Sequence, residues 1–517
     1  MTQIRDRYAP SPTGLQHIGG LRTALFNYLF AKSQNGKFIL RLEDTDRTRF
    51  DESYVQNLFD TFDWLQFKWD EGPDCGGSFA PYIQSERTGL YKKYAQQLLD
   101  SGNAYYCFCT TERIDAVRKE RELARSSETG YDRFCRNIDV AEAAERAKNE
   151  PYTIRLKIPL GQTTKFTDKL LGEIEWKNDD VNPDPVLLKS DGFPTYHLAN
   201  VVDDHLMQIT HVLRAQEWLA STPLHVIMYN ALAWTPPVFC HLPMVMGQDG
   251  KKLSKRHGAT SIDEFRKNGY LPAALLNYVA LLGASYKDGQ DIYTLQELCD
   301  SFNIDKLNKS PAVFDYQKLQ WYNGMYIRAM NDEDLAGATL SFAIECGLFD
   351  ASNASTSTAG GAEKTFVQQT FVGRGAVPPT EAQKKLYVSA MSLVKERAVF
   401  LTEIPQKLGY LFTRPPVAAK EEFVPKKSTI ETAVQLLKIG RGMIEAMVLS
   451  DDAGAEQIAK DTALRENVKL GDLLMPLRVA ITGSRVSPPL FGSLRLLGST
   501  ECLARVDECL LYVIRVI

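Results

Sequence analysis

The N-terminal residues of this 517-residue chain follow the order strand, helix, strand, which restricts the fold more than any other feature of the sequence. Residues 4–9 are typical of a short strand, and apolar side chains recur at helical spacing over 21–33. Asn35 and Gly36 provide a helix stop before a second strand-like run at 38–42. A strand, a crossover helix and a strand form a βαβ unit, so we predict an α/β fold with a parallel sheet. A ligand is expected at the carboxyl end of the first strand.

The remaining patterns divide the chain into further parts. Its length exceeds what one hydrophobic core normally organises, so roughly three or four domains are expected. Residues 105–180 change character, with short strands and cysteines, and we predict that they are an insertion. The α/β pattern resumes after Pro194, and Ser221 and Pro223 are predicted to open a helix as cap and first-turn proline. Beyond about residue 261 the periodicity is predominantly helical. Two further amphipathic helices are expected at 52–65 and 86–99.

Composition and charge limit the class of protein. The net charge of −4 gives no global sign of nucleic-acid binding, so any RNA contact has to use a local basic surface. Nine cysteines in so long a chain do not form a disulfide framework. No signal peptide is recognisable, and the longest mostly apolar stretch, 271–284, is too short to span a bilayer. We therefore expect a cytoplasmic protein without membrane contact. The tract 351–362, rich in Ser, Thr, Ala and Gly, is expected to be a flexible surface insertion.

The first candidate motif is PSPTGLQHIGG at 10–20, where the first predicted strand turns into the first helix. Such a turn offers backbone N–H groups and the positive end of a helix to phosphate. His17 can donate to phosphoryl oxygens, while Gly19 and Gly20 allow a flat adenine ring to approach the backbone. The spacing is neither that of a Walker loop nor that of a dinucleotide fingerprint. The alternative is an ordinary Pro/Gly turn.

The second candidate motif is GQDGKKLSKRHG at 247–258, which we call the basic loop. Transfer of an adenylyl group builds negative charge on the departing pyrophosphate, and lysines on a movable loop can stabilise it. The alternative is a solvated charged turn. Together the two motifs indicate that ATP is bound and cleaved.

With both motifs in view, the chain resembles the bacterial glutamyl-tRNA synthetases of class I. The first motif is similar to the family's HIGH element, here ending in Gly20, and the second to its KMSKS element, here KLSKR at 252–256. Taken in chain order, the resemblance extends over roughly residues 1–330. Further similar blocks lie at 41–46, 82–87, 194–205, 213–218 and 319–328.

This resemblance implies a Rossmann-type parallel-sheet catalytic domain, split by an inserted acceptor-binding domain and followed by an all-helical anticodon-binding domain. The block at 471–497 resembles the anticodon-binding part, but no single anticodon-reading residue is implied. The expected boundaries are 1–83 and 202–262 for the two catalytic halves, 84–201 for the insertion with a zinc element, 263–330 for a stem-contact helical domain, and 331–517 for the anticodon-binding domain.

The resemblance also implies a reaction in two steps. L-Glutamate attacks Mg²⁺-ATP to give glutamyl-adenylate, and the 2′-hydroxyl of the terminal adenosine of tRNA(Glu) then displaces AMP. Positioning and charge stabilisation suffice, so no covalent nucleophile is needed. Asp44 is implied to contact the terminal adenosine. In the family, tRNA is bound before activation proceeds and monomers are the norm; whether tRNA(Gln) is also charged depends on anticodon contacts that the sequence does not place.

Roles for side chains follow from the same resemblance. Glutamate carries two carboxylates and one cation, so it requires two guanidinium partners and one carboxylate. Arg7 is implied at the side-chain carboxylate, with Tyr196 beside it. Arg214 is implied at the α-carboxylate and Glu43 at the α-ammonium, with Ser11 assisting. For the two arginines the alternative is an ordinary surface salt bridge. The residues implied in catalysis or ATP binding are His17, Gly19, Gly20, Trp218, Lys252, Ser254 and Lys255.

Three cysteines lie close enough in sequence to share a purpose. Cys107, Cys109 and Cys135, with Tyr131, resemble the zinc-binding insertion of some family members, and three thiolates suit tetrahedral zinc. A histidine is the usual fourth ligand in one subgroup, but Asn137 stands at that position, so Tyr131 is the candidate fourth ligand. A structural zinc is expected, and three free thiols are the alternative.

The histidines elsewhere lack the spacing of metal ligands. We expect structural or substrate-site roles for three of them and structural roles for two. The first set is His197, His205 and His211, and the second is His225 and His241.

Three other functions are alternatives to that of a glutamyl-tRNA synthetase. A glutaminyl enzyme shares the fold, but the blocks at 10–14 and 42–44 are of the glutamyl type. The small paralogue that glutamylates queuosine in tRNA lacks a helical C-terminal half, whereas this chain continues well past Arg328. A non-catalytic RNA-binding protein that had kept the fold would be recognised by loss of motif residues. His17, Glu43, Arg214 and Lys255 are all present.

Overall fold

A computed structural model describes residues 3–124, 130–287, 289–350 and 377–515. The chain divides into two compact units, one made of residues 1–267 and 272–316 and the other of 268–271 and 317–517. The low-complexity tract predicted at 351–362 lies outside the described residues. Among the residues that are described, no helix is both long and apolar enough to cross a membrane.

The first unit is an α/β structure. Its strands are β1 (Arg5–Tyr8), β2 (Lys37–Leu40), β3 (Ala104–Cys107), β4 (Thr153–Leu156), β5 (Thr163–Asp168), β6 (Gly172–Lys177), β7 (Val186–Leu188), β8 (His211–Ala215), β9 (Val238–Leu242), β10 (Val245–Met246) and β11 (Ala312–Val313). Its helices are α1 (Ile18–Ser33), α2 (Glu52–Leu65), α3 (Thr88–Asp100), α4 (Thr111–Leu123), α5 (Val140–Arg146), α6 (Tyr196–Leu206), α7 (Thr222–Ala231), α8 (Ile262–Lys267), α9 (Pro272–Ala280) and α10 (Leu295–Ser301).

The predicted βαβ unit is confirmed. Strands β1 and β2 pair in parallel, with Arg5 opposite Lys37, and α1 connects them. The helix ends at Ser33 as predicted, and Gly36 is required just beyond it because a side-chain carbon there would lie 2.6 Å from the Ile4 carbonyl oxygen. Strand β2 ends at Leu40. Just beyond it the backbone pairs with a different segment, because the N–H of Leu42 donates to the Tyr82 carbonyl. The carboxyl ends of both strands therefore lead into the motif region.

A four-stranded sheet has the order β6-β5-β9-β8. Strands β8 and β9 are parallel, and β5 is parallel to β9 where Asp168 lies opposite Phe239. Strand β6 turns back antiparallel on β5, so the outer edge of the sheet is mixed. Thr210, just before β8, donates to the Arg5 carbonyl at 3.0 Å and so connects this sheet to β1. The segment predicted as an insertion thus contributes two strands to the same sheet as β8 and β9.

The rest of that segment builds a smaller antiparallel sheet. Its strands have the order β3-β4-β7, and the cysteine cluster lies at the end of β3. Apolar side chains of β4 and β7, among them Ile154 and Leu187, belong to the same buried cluster as Leu198 of α6 and Phe239 of β9. Apolar burial therefore continues from the small sheet into the α/β layers.

The second unit is helical throughout its described part. One buried apolar cluster, with Leu437, Leu477 and Val506 at its centre, joins four of its helices. The last helix is bent at Gly498, whose φ of 78° is open to glycine at little cost. Its helices are α11 (Tyr316–Ala329, beginning at the last residue of the first unit), α12 (Asp332–Glu345), α13 (Glu381–Ala390), α14 (Glu403–Phe412), α15 (Ile430–Leu449), α16 (Asp452–Arg465), α17 (Leu470–Thr482) and α18 (Leu490–Arg515).

Two predicted helix starts differ from the structure. Ser221 precedes α7, and Pro223 lies in its first turn as predicted, but the Ser221 side chain makes no capping hydrogen bond. A 3-10 turn over Gln216–Ser221 leads directly into the helix, so Ser221 is already in the helical region and cannot cap. The helix expected from residue 86 likewise begins as a 3-10 turn at Gln84–Arg87 before α3.

Candidate active site

The two motifs lie side by side although they are far apart in sequence. The backbone N–H of Ile18 donates to the Thr260 carbonyl at 3.1 Å, and that of Ile262 donates to the Gln16 carbonyl at 3.0 Å. The start of α1 therefore pairs with the chain that leaves the basic loop. These hydrogen bonds bring a helix start and a lysine-rich loop into one site.

His17 is the N-cap of α1. Its Nδ1 accepts from Gly19 N at 3.1 Å and from Gly20 N at 3.3 Å. The ring therefore carries its proton on Nε2, which is left as a donor. Desolvation, followed by the charge of Lys252, lowers the pKa of His17, while Glu217 opposes the shift. A neutral His17 with a free Nε2–H is suited to donate to a phosphoryl oxygen.

The two glycines of the first motif are closely surrounded by protein atoms. A side-chain carbon on Gly20 would lie 2.8 Å from the Tyr8 hydroxyl, and one on Gly19 would lie 3.0 Å from Cε1 of His17. The backbone N–H groups that were expected to face phosphate are used by the His17 cap. That expectation was wrong, because a side chain of the motif itself satisfies them. Ser11 is exposed in the turn, where its carbonyl accepts from Thr13 N at 2.9 Å.

Buried charges meet beside β1 at the carboxyl end of the sheet. Arg7 donates through Nε and Nη2 to the two oxygens of Asp204, at 3.1 and 3.2 Å. Arg41 donates to Asp204 at 2.7 Å and to Oε1 of Glu43 at 2.9 Å. Burial raises the pKa of Glu43 more than Arg41 lowers it. Within the described chain, Nη1 of Arg7 and Oε2 of Glu43 have no hydrogen-bond partner, so both remain available to a ligand.

Arg214 has a different environment. Its Nε donates to Nε2 of His241 at 3.0 Å, and Nη1 donates to the Tyr196 hydroxyl at 3.2 Å and to Nδ1 of His225 at 3.3 Å. Its Nη2 donates to Oγ1 of Thr222 at 2.8 Å and, over 3.4 Å, to the Trp218 carbonyl. None of these five acceptors is a carboxylate. Arg214 as a whole is 5% exposed, so its charge is buried among neutral partners.

Tyr196 accepts a hydrogen bond from Arg214 and lies within the electrostatic influence of Arg7. Burial raises the pKa of its hydroxyl, and the charges of Arg214, Glu43 and Arg7 also act on it. The Trp218 ring packs against that of Tyr196 at a tilt of 37°, with ring centroids 4.4 Å apart. We call Arg7, Glu43, Tyr196 and Arg214 the acid–base cluster; the structure brings these predicted residues together. Asp44 lies nearby in sequence, where its Oδ1 accepts from Ser85 N at 2.8 Å.

The basic loop is held in a fixed turn by its own side chains. His257 Nε2 lies 3.0 Å from Oδ1 of Asp249, and His257 Nδ1 accepts from Ser254 N at 3.0 Å. Lys252 forms an ion pair with Glu217, with 2.5 Å between Nζ and Oε2. Lys255 opens the 3-10 turn Lys255–His257. The loop therefore places the charge of Lys252 near His17, and Glu217 balances that charge.

The four candidate zinc ligands are brought together as well. The sulfurs of Cys107, Cys109 and Cys135 all lie within 4.8 Å of one another. The Tyr131 hydroxyl is 3.4 Å from Cys107 Sγ and 3.7 Å from Cys109 Sγ. Contact with Cys135 lowers the pKa of Cys107 to about 4 against the effect of burial. Arg113 donates to Cys109 Sγ at 3.5 Å.

In the second unit, the block that resembles an anticodon-binding region folds back on itself. Arg478 donates to Oγ of Ser487 at 2.7 Å and to the Pro488 carbonyl at 2.9 Å. Burial, followed by the charge of Arg397, lowers the pKa of Arg478. These contacts fix the turn between α17 and α18.

Several residues of the site were not assigned there from the sequence. His225 and His241 were expected to be structural, yet both contact Arg214 directly. Asp249 and His257 lie inside the basic-loop motif, so the motif itself was the available signal. Nothing in the sequence indicated that Asp168 belongs to the site, because it contacts His241, which lies 73 positions away.

Comparison with known proteins gives a consistent result. Residues 3–321 match the family described as "tRNA synthetases class I (E and Q), catalytic domain", and residues 365–510 match "Anticodon binding domain". A glutamate–tRNA ligase of Treponema denticola is 54% identical over 509 residues, which cover 98% of this chain and 99% of that protein. One of Borreliella burgdorferi is 45% identical over 504 residues, covering 97% of each chain.

A solved structure is also similar over the full length. It is the crystal structure of a glutamate tRNA ligase from Elizabethkingia meningosepticum in complex with its amino acid, with a TM-score of 0.82 and 31% sequence identity. The match covers 99% of this chain and 100% of that one. The two-part architecture, an α/β catalytic region followed by a helical anticodon-binding region, is therefore shared with it.

The His17 cap predicts a pH-dependent contribution to stability. Replacing His17 with Ala removes the acceptor for Gly19 N and Gly20 N and is expected to cost about 1 kcal/mol in the free energy of unfolding. His17→Asn, which keeps a capping acceptor, is the matched control and is expected to lose much less. Thermal unfolding of the purified proteins measures the loss of stability in each variant.

The pH dependence has a definite sign. Because the pKa of His17 is lowered in the folded protein, the cap is complete above the ordinary histidine value of 6.5. It weakens as the pH falls through the lower folded pKa. The stability difference between wild type and His17→Ala should therefore shrink from about pH 7.5 to about pH 5.5. A difference that grows towards acid pH would contradict the cap.

Proposed function

The chain belongs to the class I tRNA synthetases of the glutamyl and glutaminyl group, and on this premise we propose that it ligates L-glutamate to the 3′ end of tRNA(Glu) for protein synthesis. The reaction proceeds through glutamyl-adenylate and consumes ATP, which enters as its magnesium complex. The observation that carries the proposal is the acid–base cluster: two buried arginines and a buried carboxylate lie around one tyrosine. This set of charges matches a substrate with two carboxylates and one ammonium group.

Glutamate is held by the side chains of that cluster. The side-chain carboxylate of glutamate accepts hydrogen bonds from Nη1 of Arg7 and from the Tyr196 hydroxyl. The α-ammonium donates to Oε2 of Glu43. The α-carboxylate replaces the longest internal contact of Arg214, the 3.4 Å contact of Nη2 with the Trp218 carbonyl. Arginine nitrogens donate only, so a carboxylate is preferred over the amide of glutamine, whose NH₂ group would face a donor. Ser11, in the turn before His17, assists.

The first step needs negative charge to be stabilised as pyrophosphate departs. The α-carboxylate attacks the α-phosphorus in line, and His17 donates its Nε2–H to a phosphoryl oxygen. Gly19 and Gly20 hold the ring of His17 in place, and Trp218 borders the nucleotide. Lys252 exchanges Glu217 for the phosphates, and Lys255 and Ser254 complete the loop side. The enzyme acts by positioning and by charge, without a covalent intermediate on the protein.

The second step transfers the glutamyl group to RNA. The 2′-hydroxyl of the terminal adenosine attacks the acyl carbon and displaces AMP, and Asp44 contacts that adenosine. We assign tRNA contacts to the insertion at 84–201, to a stem-contact segment at 263–330 and to the helical region at 331–517. A monomer in the cytoplasm suffices for this reaction.

The cysteine cluster fits a structural zinc ion. In a tetrahedral site with Zn–S bonds of about 2.3 Å, two sulfurs lie about 3.8 Å apart. Cys109 Sγ and Cys135 Sγ are 3.6 Å apart, close to that value. Cys107 provides the third thiolate and the Tyr131 phenol the fourth position, so Asn137 is not needed. Zinc would tie the end of β3 to the 3-10 turn Phe134–Asn137, and it would supply no chemistry to ligation.

The function is tested by aminoacylation of two purified tRNAs. We expect tRNA(Glu) to be charged with radiolabelled L-glutamate in the presence of ATP, and glutamine to be rejected. The same assay with tRNA(Gln) shows whether the enzyme is specific for one tRNA. Failure to charge tRNA(Glu) with glutamate would contradict the proposal.

Lys255 is predicted to stabilise the departing pyrophosphate. Lys255→Ala should lower glutamate-dependent pyrophosphate exchange by at least about tenfold, because one cation at the developing charge is lost. Binding of tRNA should stay nearly intact. Lys251→Ala, in the same loop but outside the KLSKR sequence, serves as the control. Near-normal exchange in Lys255→Ala would refute the role.

Zinc is predicted at about one ion per chain, because all four ligands converge. Metal analysis of the gently purified protein measures the content directly. Tyr131→Phe keeps the ring that packs under Arg155 but loses the phenolic oxygen, so it should retain zinc less well during dialysis against a chelator. A metal content near zero in the wild-type protein would leave three free thiols as the correct interpretation.

A further inference from the structure

The guanidinium of Arg214 is oriented by a chain of hydrogen bonds that starts at a buried aspartate. Arg214 Nε donates to His241 Nε2 at 3.0 Å, and the other ring nitrogen, Nδ1, lies 2.7 Å from Oδ2 of Asp168. All three side chains are buried, with Asp168 1%, His241 0% and Arg214 5% exposed. Solvent therefore does not compete for these contacts.

Only one arrangement of protons satisfies this chain. Arginine is always protonated and can only donate, so His241 Nε2 has to be an acceptor. The proton of His241 then lies on Nδ1 and points at Asp168. Burial works to raise the pKa of Asp168, but the hydrogen bond from His241 brings the net shift below the ordinary value. Asp168 is thus a carboxylate that fixes the tautomer of His241 and, through it, the direction of Arg214.

Asp168 is itself held firmly. Its Oδ1 accepts from the backbone N–H groups of Leu170 and Leu171, at 3.0 and 2.9 Å. Its Oδ2 accepts from the backbone N–H of His241 at 3.0 Å as well as from the ring. Asp168 also ends β5, opposite Phe239 of β9, so backbone pairing fixes its position. The support of Arg214 is therefore anchored in a sheet.

The two arginines of the acid–base cluster differ in how their charge is balanced. Arg7 lies directly on a carboxylate, Asp204, at 3.1 Å. Arg41 shares that carboxylate, so Asp204 balances the charge of Arg7 only in part. Arg214 instead contacts the imidazole of His241. The carboxylate of Asp168 lies on the far side of that ring and does not contact Arg214 directly. A neutral imidazole holds the guanidinium in position and leaves its positive charge for an anionic ligand.

We propose that His241 and Asp168 are positioning residues for the binding of glutamate by Arg214. The proposal rests on the function assigned above and adds two residues that do not themselves contact the substrate. His241 sets the angle of the guanidinium through Nε, so that the Nη nitrogens face the carboxylate.

The test compares two substitutions of His241, one that keeps the contact with Asp168 and one that keeps the contact with Arg214. His241→Asn keeps a donor near the position of Nδ1 for Asp168 but has no acceptor that reaches Arg214. His241→Gln can place its amide oxygen where Nε2 lies, so it retains that acceptor. His205→Phe is the control: His205 stacks on Trp234 with ring centroids 3.7 Å apart, and phenylalanine preserves this stacking.

Aminoacylation kinetics with saturating tRNA(Glu) give the measurement. For His241→Asn we expect the KM for glutamate to rise by about tenfold, because a contact to a buried charged group is lost. The KM for ATP and kcat should remain within about twofold of wild type. His241→Gln should recover only part of the lost affinity, because it restores the acceptor for Arg214 but not the contact with Asp168, and His205→Phe should behave as wild type. If His241→Asn does not fold, His241→Phe, which keeps the ring volume, is measured in its place and should show the same rise.

Two results would overturn the proposal. One is an unchanged KM for glutamate in the folded Asn or Phe variant. The other is a fall in kcat together with a rise in both KM values that His241→Gln does not reverse, which indicates a general structural role. Both results are compared with the wild-type enzyme in the same assay. If the wild type does not charge tRNA(Glu), the proposed function fails, and this outcome is distinct from failure of the positioning role.

Discussion

The buried ion pairs of Arg41 are the interaction on which the rest of the active site depends. Arg41 is fully buried and contacts Asp204 and Glu43 at 2.7 and 2.9 Å. Removing one partner of such a pair leaves a buried charge uncompensated, at a cost of about 3–5 kcal/mol. The segment after β2 and the helix α6 are therefore constrained to meet at this point. Arg7 reaches the same Asp204 from β1, so the segments carrying three of the proposed glutamate ligands share one electrostatic anchor.

The order of elements could be predicted from sequence because it depends on local periodicity. Helix α2 has the expected bounds, and the βαβ unit is present with its strands in parallel. The start of α1 was placed three residues too late, because the apolar stripe begins at Leu21 while a histidine caps the helix at His17. Histidine is not among the preferred capping residues, so no sequence rule indicated it. The pairing of β5 with β9 joins residues that are far apart in the sequence. Periodicity over a short stretch of sequence therefore could not predict it.

The structure brings the residues predicted for the candidate site together, but their electrostatics could not be predicted from the sequence. The sequence presented Arg7 and Arg214 as two equivalent cations for two carboxylates. In the structure one is balanced in part by Asp204, 197 residues away, and the other is surrounded by His225, His241, Tyr196 and Thr222. Partners of this kind are determined by the tertiary fold, which places distant residues in contact. The basic loop shows the same limit, because the pairing of Lys252 with Glu217 depends on two segments meeting in space.

The hairpin β5–β6 has a consequence for how this enzyme can vary. An insertion whose ends simply emerge from a host domain can be lengthened, shortened or exchanged as a module. Here the inserted segment returns a strand to the host sheet beside β9, and the last residue of that strand, Asp168, contacts His241 behind the proposed amino acid site. Given the role proposed for Asp168, exchange of the whole segment between relatives would carry part of the amino acid specificity with it. Only the portion outside β5 and β6 is free to change as an independent module.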